Sequence, residues 1–215
     1  SALSDFPALR EAFFRDGYLV LRGLLGDGHL APVRSSIDDY VGDIRAELER
    51  EGESALAPAR PFAQNLIPLA KHIARYGRGW TEALATVAIH DLHRAPELLS
   101  VLKALLGEQV CGHKQFNLRP KLPGQELTTV PWHQDTAYYG AHTVVDTIIT
   151  AWLPLVPVSA HNGCLQIVPG SRCRYWRRKI FATARNARSS PGFDHGDGAR
   201  RCAADAQSAV ASIPA

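Results

Sequence analysis

The stretch VPWHQDTAYYG, residues 130–140, sets His133 and Asp135 two positions apart, between a tryptophan and a pair of tyrosines. What this pair can do depends on the backbone that carries it. On a helix, positions i and i+2 point roughly 200° apart, so the two side chains would serve no common target. On extended chain, alternate side chains share a face, and imidazole and carboxylate converge. Val130-Pro131 before the pair and Tyr138-Tyr139 after it favour extended chain, because proline restricts the residue before it and aromatics suit a pleated surface. A converging histidine and aspartate are two of the three protein ligands in the 2-His-1-carboxylate triad that holds non-haem Fe(II). The pattern alone arises often by chance, so the surrounding chain has to decide.

On both sides of the pair the sequence reads as strand. EQVCGHKQFNLR (108–119) has strand character, KLPGQELTTVP (121–131) is a loop, and DTIITAWLPLV (146–156) is a β-branched run ended by Pro154. GCLQIVPGS (163–171) is a strand running into a Pro-Gly turn, and Asn162-Gly163 before it is a hairpin-turn dipeptide. Further upstream the period changes. DFPALREAFFR (5–15) is a helix with Asp5 as cap and Pro7 in its first turn, stopped by Gly17, and YLVLRGLL (18–25) follows as a strand. From Gly28 to Arg50, Leu30, Val33, Ile37, Val41, Ile44 and Leu48 step by three or four, the mark of a long amphipathic helix. GESALAPARP (52–61) is a linker; TEALATVAI (81–89) and PELLSVLKALL (96–106) are two more helices, the latter between Pro96 and Gly107. Helices first, then closely spaced strands, imply helices packed on a β-sandwich or jelly roll.

Composition narrows the function classes. The chain of 215 residues, 46% hydrophobic and 21% charged, is that of one ordinary globular domain. No apolar run is long enough to span a membrane, and SALSDFPALREAF lacks the layout of a signal peptide. Cys111, Cys164, Cys173 and Cys202 have neither metal spacing nor disulfide density and read as reduced thiols of a cytoplasmic protein. A net charge of +3 makes no case for nucleic acid. One bias is local: between Arg172 and Arg201 nine Lys/Arg face only Asp194 and Asp197. That stretch is either a solvated surface loop or a basic lid over an anionic substrate.

Four segments now stand in a familiar order: FFRDGYLVLRGLL, PELLSVLKALLG, PWHQDTAYYG and AWLPLVPVSAHNGCLQIVPGS. Together they resemble the phytanoyl-CoA dioxygenase family of Fe(II)/2-oxoglutarate oxygenases, over about residues 8–171, and the last two are the specific ones. The resemblance implies a mostly β fold with N-terminal helices, a double-stranded β-helix (jelly roll, cupin-like) with iron at its mouth. A helical region, 1–107, would pack on a jelly-roll core, 108–215, as one functional unit.

The same resemblance implies roles. His133 and Asp135 would bind Fe(II), with 2-oxoglutarate and O2 as cosubstrates and a small organic molecule as substrate. Related halogenases replace the HxD carboxylate with a small residue to make room for chloride, so Asp135 implies hydroxylation or desaturation. Gln115 and Arg119 lie four apart on the expected strand before HxD and share a face, where relatives contact 2-oxoglutarate; a structural polar ladder is the other reading. Trp152 falls where the family places a wall aromatic near the cosubstrate, though core packing explains it as well. His90 and His93, at i and i+3, sit just before Pro96 and are not expected to bind metal; the other upstream histidines carry no pattern.

The family's third ligand is a histidine on a late strand, followed by an arginine that holds the distal carboxylate of 2-oxoglutarate. Here His195 is the one histidine available downstream of His161, and its Gly/Asp-rich setting, FDHGDGARR, is a poor platform for a ligand. AQSAVASIPA (206–215) resembles the family's strand before its late histidine, and a jelly roll halted after it would leave a sheet edge unpaired. The chain also has no methionine, where ordinary usage gives roughly four or five. Hence the expectation that the polypeptide continues past Ala215 into a histidine-bearing strand and the arginine. Two alternatives stay open: a non-catalytic binding member of the fold that has lost its third ligand, and a cupin-like domain using another metal for hydrolysis or isomerisation.

Overall fold

The computed structural model describes residues 5–53, 58–72, 75, 80–112, 116–122, 132, 133, 135, 148–170, 200–201 and 209–212, the last two stretches by backbone alone. Helix α1, Phe6–Asp16, starts where the Asp5 carboxylate accepts from Ala8 N at 3.0 Å and ends at Gly17, whose φ of 84° is left-handed. Strand β1, Tyr18–Leu21, leads into helix α2, Asp27–Arg50, which buries the whole expected stripe from Leu30 to Leu48. After two 3-10 turns, Phe62–Gln64 and Ile67–Leu69, come the short helix α3, Trp80–Ala83, and then α4, Val87–His93, and α5, Pro96–Leu106.

The single helix expected over TEALATVAI is broken. Thr86 takes an extended backbone and its hydroxyl accepts from Ile89 N, so it caps α4 instead of continuing α3. Helix α2 packs against α4, and α1 against both β1 and α5. Arg75 fastens the far end of α2 by pairing with Glu47 and Glu51.

Two small antiparallel sheets follow. Strands β2 (Thr150–Trp152), β3 (Gln166–Ile167), β4 (Arg200–Arg201) and β5 (Ala209–Ser212) join β1 in the orders β1-β5-β2 and β3-β4. The first sheet links residues from both sides of position 107: Tyr18 and Thr150 are each paired with Ser212, and Val20 and Trp152 with Val210. Strand β5 lies in the middle of this sheet, with ladders on both sides. A hydrogen bond from Gly170 N to Asp16 O, 2.9 Å, ties the turn after β3 to the end of α1.

Among the described residues helix outweighs strand, and most of the expected jelly-roll core, 108–215, lies outside them. The buried apolar cluster runs from Phe13 to Leu105, in the helices and the β1 region, and Phe116, Leu118, Ile149, Ala151 and Leu153 only pack against it half-buried. The expected strand over 108–119 is also absent among its described residues, 108–112 and 116–119. These alternate exposed and half-buried side chains from Phe116 to Arg119 but pair with no neighbouring strand. Among the described residues no helix is long and apolar enough to cross a membrane.

Candidate metal centre

Trp132 and His133 belong to neither helix nor strand, and Asp135 has the backbone of a 3-10 turn. Of the extended strand expected through this pair, the described residues show none. The side chains nevertheless converge: His133 Nε2 lies 3.2 Å from Asp135 Oδ1. Each side chain is 33% exposed, open to a ligand yet partly shielded from solvent screening.

The other carboxylate oxygen is taken. Thr150 Oγ1 donates to Asp135 Oδ2 at 2.6 Å, the length of a charge-assisted O–H···O bond. Thr150 opens β2 and is paired with Ser212, so the sheet sets where this hydroxyl stands. The sequence reading passed over Thr150. Its available signal was the two-residue spacing to Trp152, which places both on one face of the strand. Trp152 itself is half-buried.

The donors suit a divalent ion. Two ligands at adjacent corners of an octahedral site with bonds of ~2.1 Å stand about 3 Å apart, and the 3.2 Å between Nε2 and Oδ1 matches that spacing. Among the described residues no third His, Cys, Asp or Glu completes a cluster with them.

The remaining candidates are dispersed. Gln115 and His195 lie outside the described residues, as do His113 and residues 171–199 of the basic stretch. Arg119 is exposed and has no hydrogen bond or ion pair among the described residues, so none joins it to His133 or Asp135. Its cationic neighbour is Lys121, whose ammonium is held below its usual value by burial first and by Arg119 second. The Lys121 stem covers the Asn162-Gly163 turn so closely that a Cβ on Gly163 would fall 2.9 Å from Lys121 Cγ. Gly163 also has a φ of 89°, so the turn needs glycine twice over. His90 and His93 do not act together: His90 Nδ1 lies 3.4 Å from Asp91, while the His93 ring meets Phe116 edge-on at 5.4 Å. Burial pushes His93 below the usual imidazole value, and the nearby His90 lowers it further.

Comparison with known proteins adds an independent line. A family model described as phytanoyl-CoA dioxygenase matches residues 13–204. The peroxisomal phytanoyl-CoA dioxygenase of Homo sapiens is 23% identical over 163 residues, covering 75% of this chain and 46% of that protein. The 1-deoxypentalenic acid 11-beta-hydroxylase of Streptomyces exfoliatus is 34% identical over 179 residues, covering 79% of this chain and 55% of that one. The chain thus spans about half the length of these curated relatives. Among solved structures, the epimerase SnoN in complex with Fe3+, alpha ketoglutarate and nogalamycin RO superposes with a TM-score of 0.47 at 16% identity, covering 97% of this chain and 74% of that one.

Proposed function

The chain belongs to the phytanoyl-CoA dioxygenase family, and from that premise we propose that it hydroxylates or desaturates a small organic substrate, with His133 and Asp135 as two of its iron ligands. The family is one of Fe(II)- and 2-oxoglutarate-dependent oxygenases that use O2. The observation that carries the assignment is the 3.2 Å approach of His133 Nε2 to Asp135 Oδ1, which supports a pair of adjacent ligands.

The reaction balances as follows. 2-Oxoglutarate loses CO2 and becomes succinate, taking up one atom of O2. The other atom enters a substrate C–H bond as hydroxyl, or leaves as water when two hydrogens are removed. Iron with its cosubstrate supplies the oxidising power; the protein binds, orients and keeps water out. Asp135 would hold the iron through its carboxylate, which favours hydroxylation or desaturation over halogenation. Trp152 serves as an apolar wall beside the pair. Gln115 and Arg119 are read as contacts to 2-oxoglutarate, and Arg119, with no ion pair among the described residues, has its planar fork available for a carboxylate. Its nearness to Lys121 favours an anion there.

The same reading takes the fold as a double-stranded β-helix to which the β1-β5-β2 sheet contributes. It places the protein in the cytoplasm, supported by the free thiols Cys111 and Cys164. The test is an anaerobic titration with Fe(II) and 2-oxoglutarate. A weak visible charge-transfer band should need both components and vanish in His133→Ala. If the wild-type protein gives no band, and forms no succinate when O2 is admitted, the proposal fails.

A further inference from the structure

The geometry points to Thr150 as a positioning residue that fixes which oxygen of Asp135 is offered to the metal, an inference that rests on the ligand roles proposed for His133 and Asp135. A carboxylate turns about its last torsion through a broad, roughly two-fold well, so its two oxygens are interchangeable unless something distinguishes them. Here they are distinguished. Oδ2 accepts the Thr150 hydroxyl at 2.6 Å and Oδ1 faces His133 Nε2 at 3.2 Å.

Two features make Thr150 a firm holder. Its branched Cβ restricts χ1, so the hydroxyl has few directions to take. Its backbone sits in a ladder with Ser212 of the central strand β5, so the hydroxyl is placed by the sheet and not by the turn that carries the pair. Asp135 is therefore gripped from outside its own segment, fifteen residues along the chain. With Oδ2 engaged, the carboxylate presents a single oxygen. Bidentate binding, which would consume a further position, is opposed, and the open positions that a 2-His-1-carboxylate centre keeps for cosubstrate and O2 stay open. The hydrogen bond to Oδ2 is what singles this threonine out.

The test uses the full chain and reads metal affinity, not turnover. Co(II) titration followed by its visible bands would be run anaerobically on wild type, Thr150→Val and Thr150→Ser. Thr150→Val keeps the shape and strand preference but deletes the hydroxyl, and should weaken Co(II) binding by roughly 10–100-fold with altered band positions. Thr150→Ser retains the donor and should restore both. Wild-type affinity in Thr150→Val, or failure of serine to rescue, overturns the inference. Should valine fail to give folded protein, Thr150→Ala provides the same deletion and the serine comparison still decides. The underlying reading has its own control: His133→Ala must lose Co(II) binding in the same assay. If His133→Ala binds normally, the ligand assignment fails, whatever Thr150 does.

Discussion

Arg34 on α2 donates from Nε to the carbonyl oxygen of Leu155 at 2.8 Å, while its Nη1 reaches Asp27 at 2.8 Å. The first bond fastens the long helix to the chain leaving β2, three residues beyond Trp152. Arg34 is 25% exposed against 72% for Asp27, so the carbonyl bond carries more weight than the ion pair. Replacing Arg34 with Ala should cost about 1.5–3 kcal/mol, the usual range for a hydrogen bond to a charged group. Lysine should not rescue, because a point charge cannot serve both partners through one fork. Urea denaturation of the three proteins reads the difference; equal midpoints would contradict it.

His133→Ala and Asp135→Ala should each abolish Fe(II) binding and succinate formation. His133, one-third exposed and outside the buried cluster, should move stability by less than about 1 kcal/mol, whereas Asp135→Ala deletes the acceptor of the Thr150 bond and should cost about 1.5–3 kcal/mol. Thermal unfolding of the metal-free proteins and anaerobic metal titration separate the two effects. Retained turnover in either variant would remove the metal assignment.

The helix α4 imidazole predicts a pH response. Burial lowers His93 below its usual 6.5 in the folded protein, with His90 adding to the shift. A base whose folded value is depressed keeps its full contribution above the unfolded value, and stability is lost as pH falls through 6.5 towards the folded value. Unfolding midpoints measured between pH 7.5 and 5.5 should fall for the wild type and fall less for His93→Phe. Parallel slopes for the two proteins would rule this source out.

The basic stretch Arg172–Arg201 gives a kinetic prediction. If it steers an anionic substrate, KM should rise as salt increases through about 0.05–0.5 M, where the Debye length drops below ~10 Å. Neutralising Arg177 and Arg178 together should raise KM more than it lowers kcat. A KM indifferent to salt assigns the stretch to the solvated surface.

Local signals carried far along this chain, and non-local ones did not. The α2 stripe was legible because six apolar residues at helical spacing need one buried face and nothing else. Asp5, Pro7 and Gly17 marked α1 because caps act within a turn. Thr86 misled because a hydroxyl that bonds its own backbone outcompetes helix continuation, and propensity averaged over TEALATVAI hides that choice. The position of β5 was not legible at all: AVAS carries a single β-branched side chain, Val210, and does not state how many partners the strand will have. The site divides the same way. That His133 and Asp135 meet could be read from their spacing. That Thr150 holds the carboxylate depends on a register set by residues about sixty positions downstream.

The central place of β5 also orders events at the ribosome. Among the described residues Tyr18 and Thr150 share Ser212 as their neighbour, so β1 must wait for about 190 further residues before its ladder with β5 can form. At ~5–20 residues per second this is a delay on the order of 10 s or more. During that interval the helices α1 to α5, which hold the buried cluster, can already pack, leaving β1 and β2 as exposed hydrogen-bonding edges. The nascent chain is thus most vulnerable to misassociation just before its last described strand emerges, and a holdase that shields strand edges would act in that window.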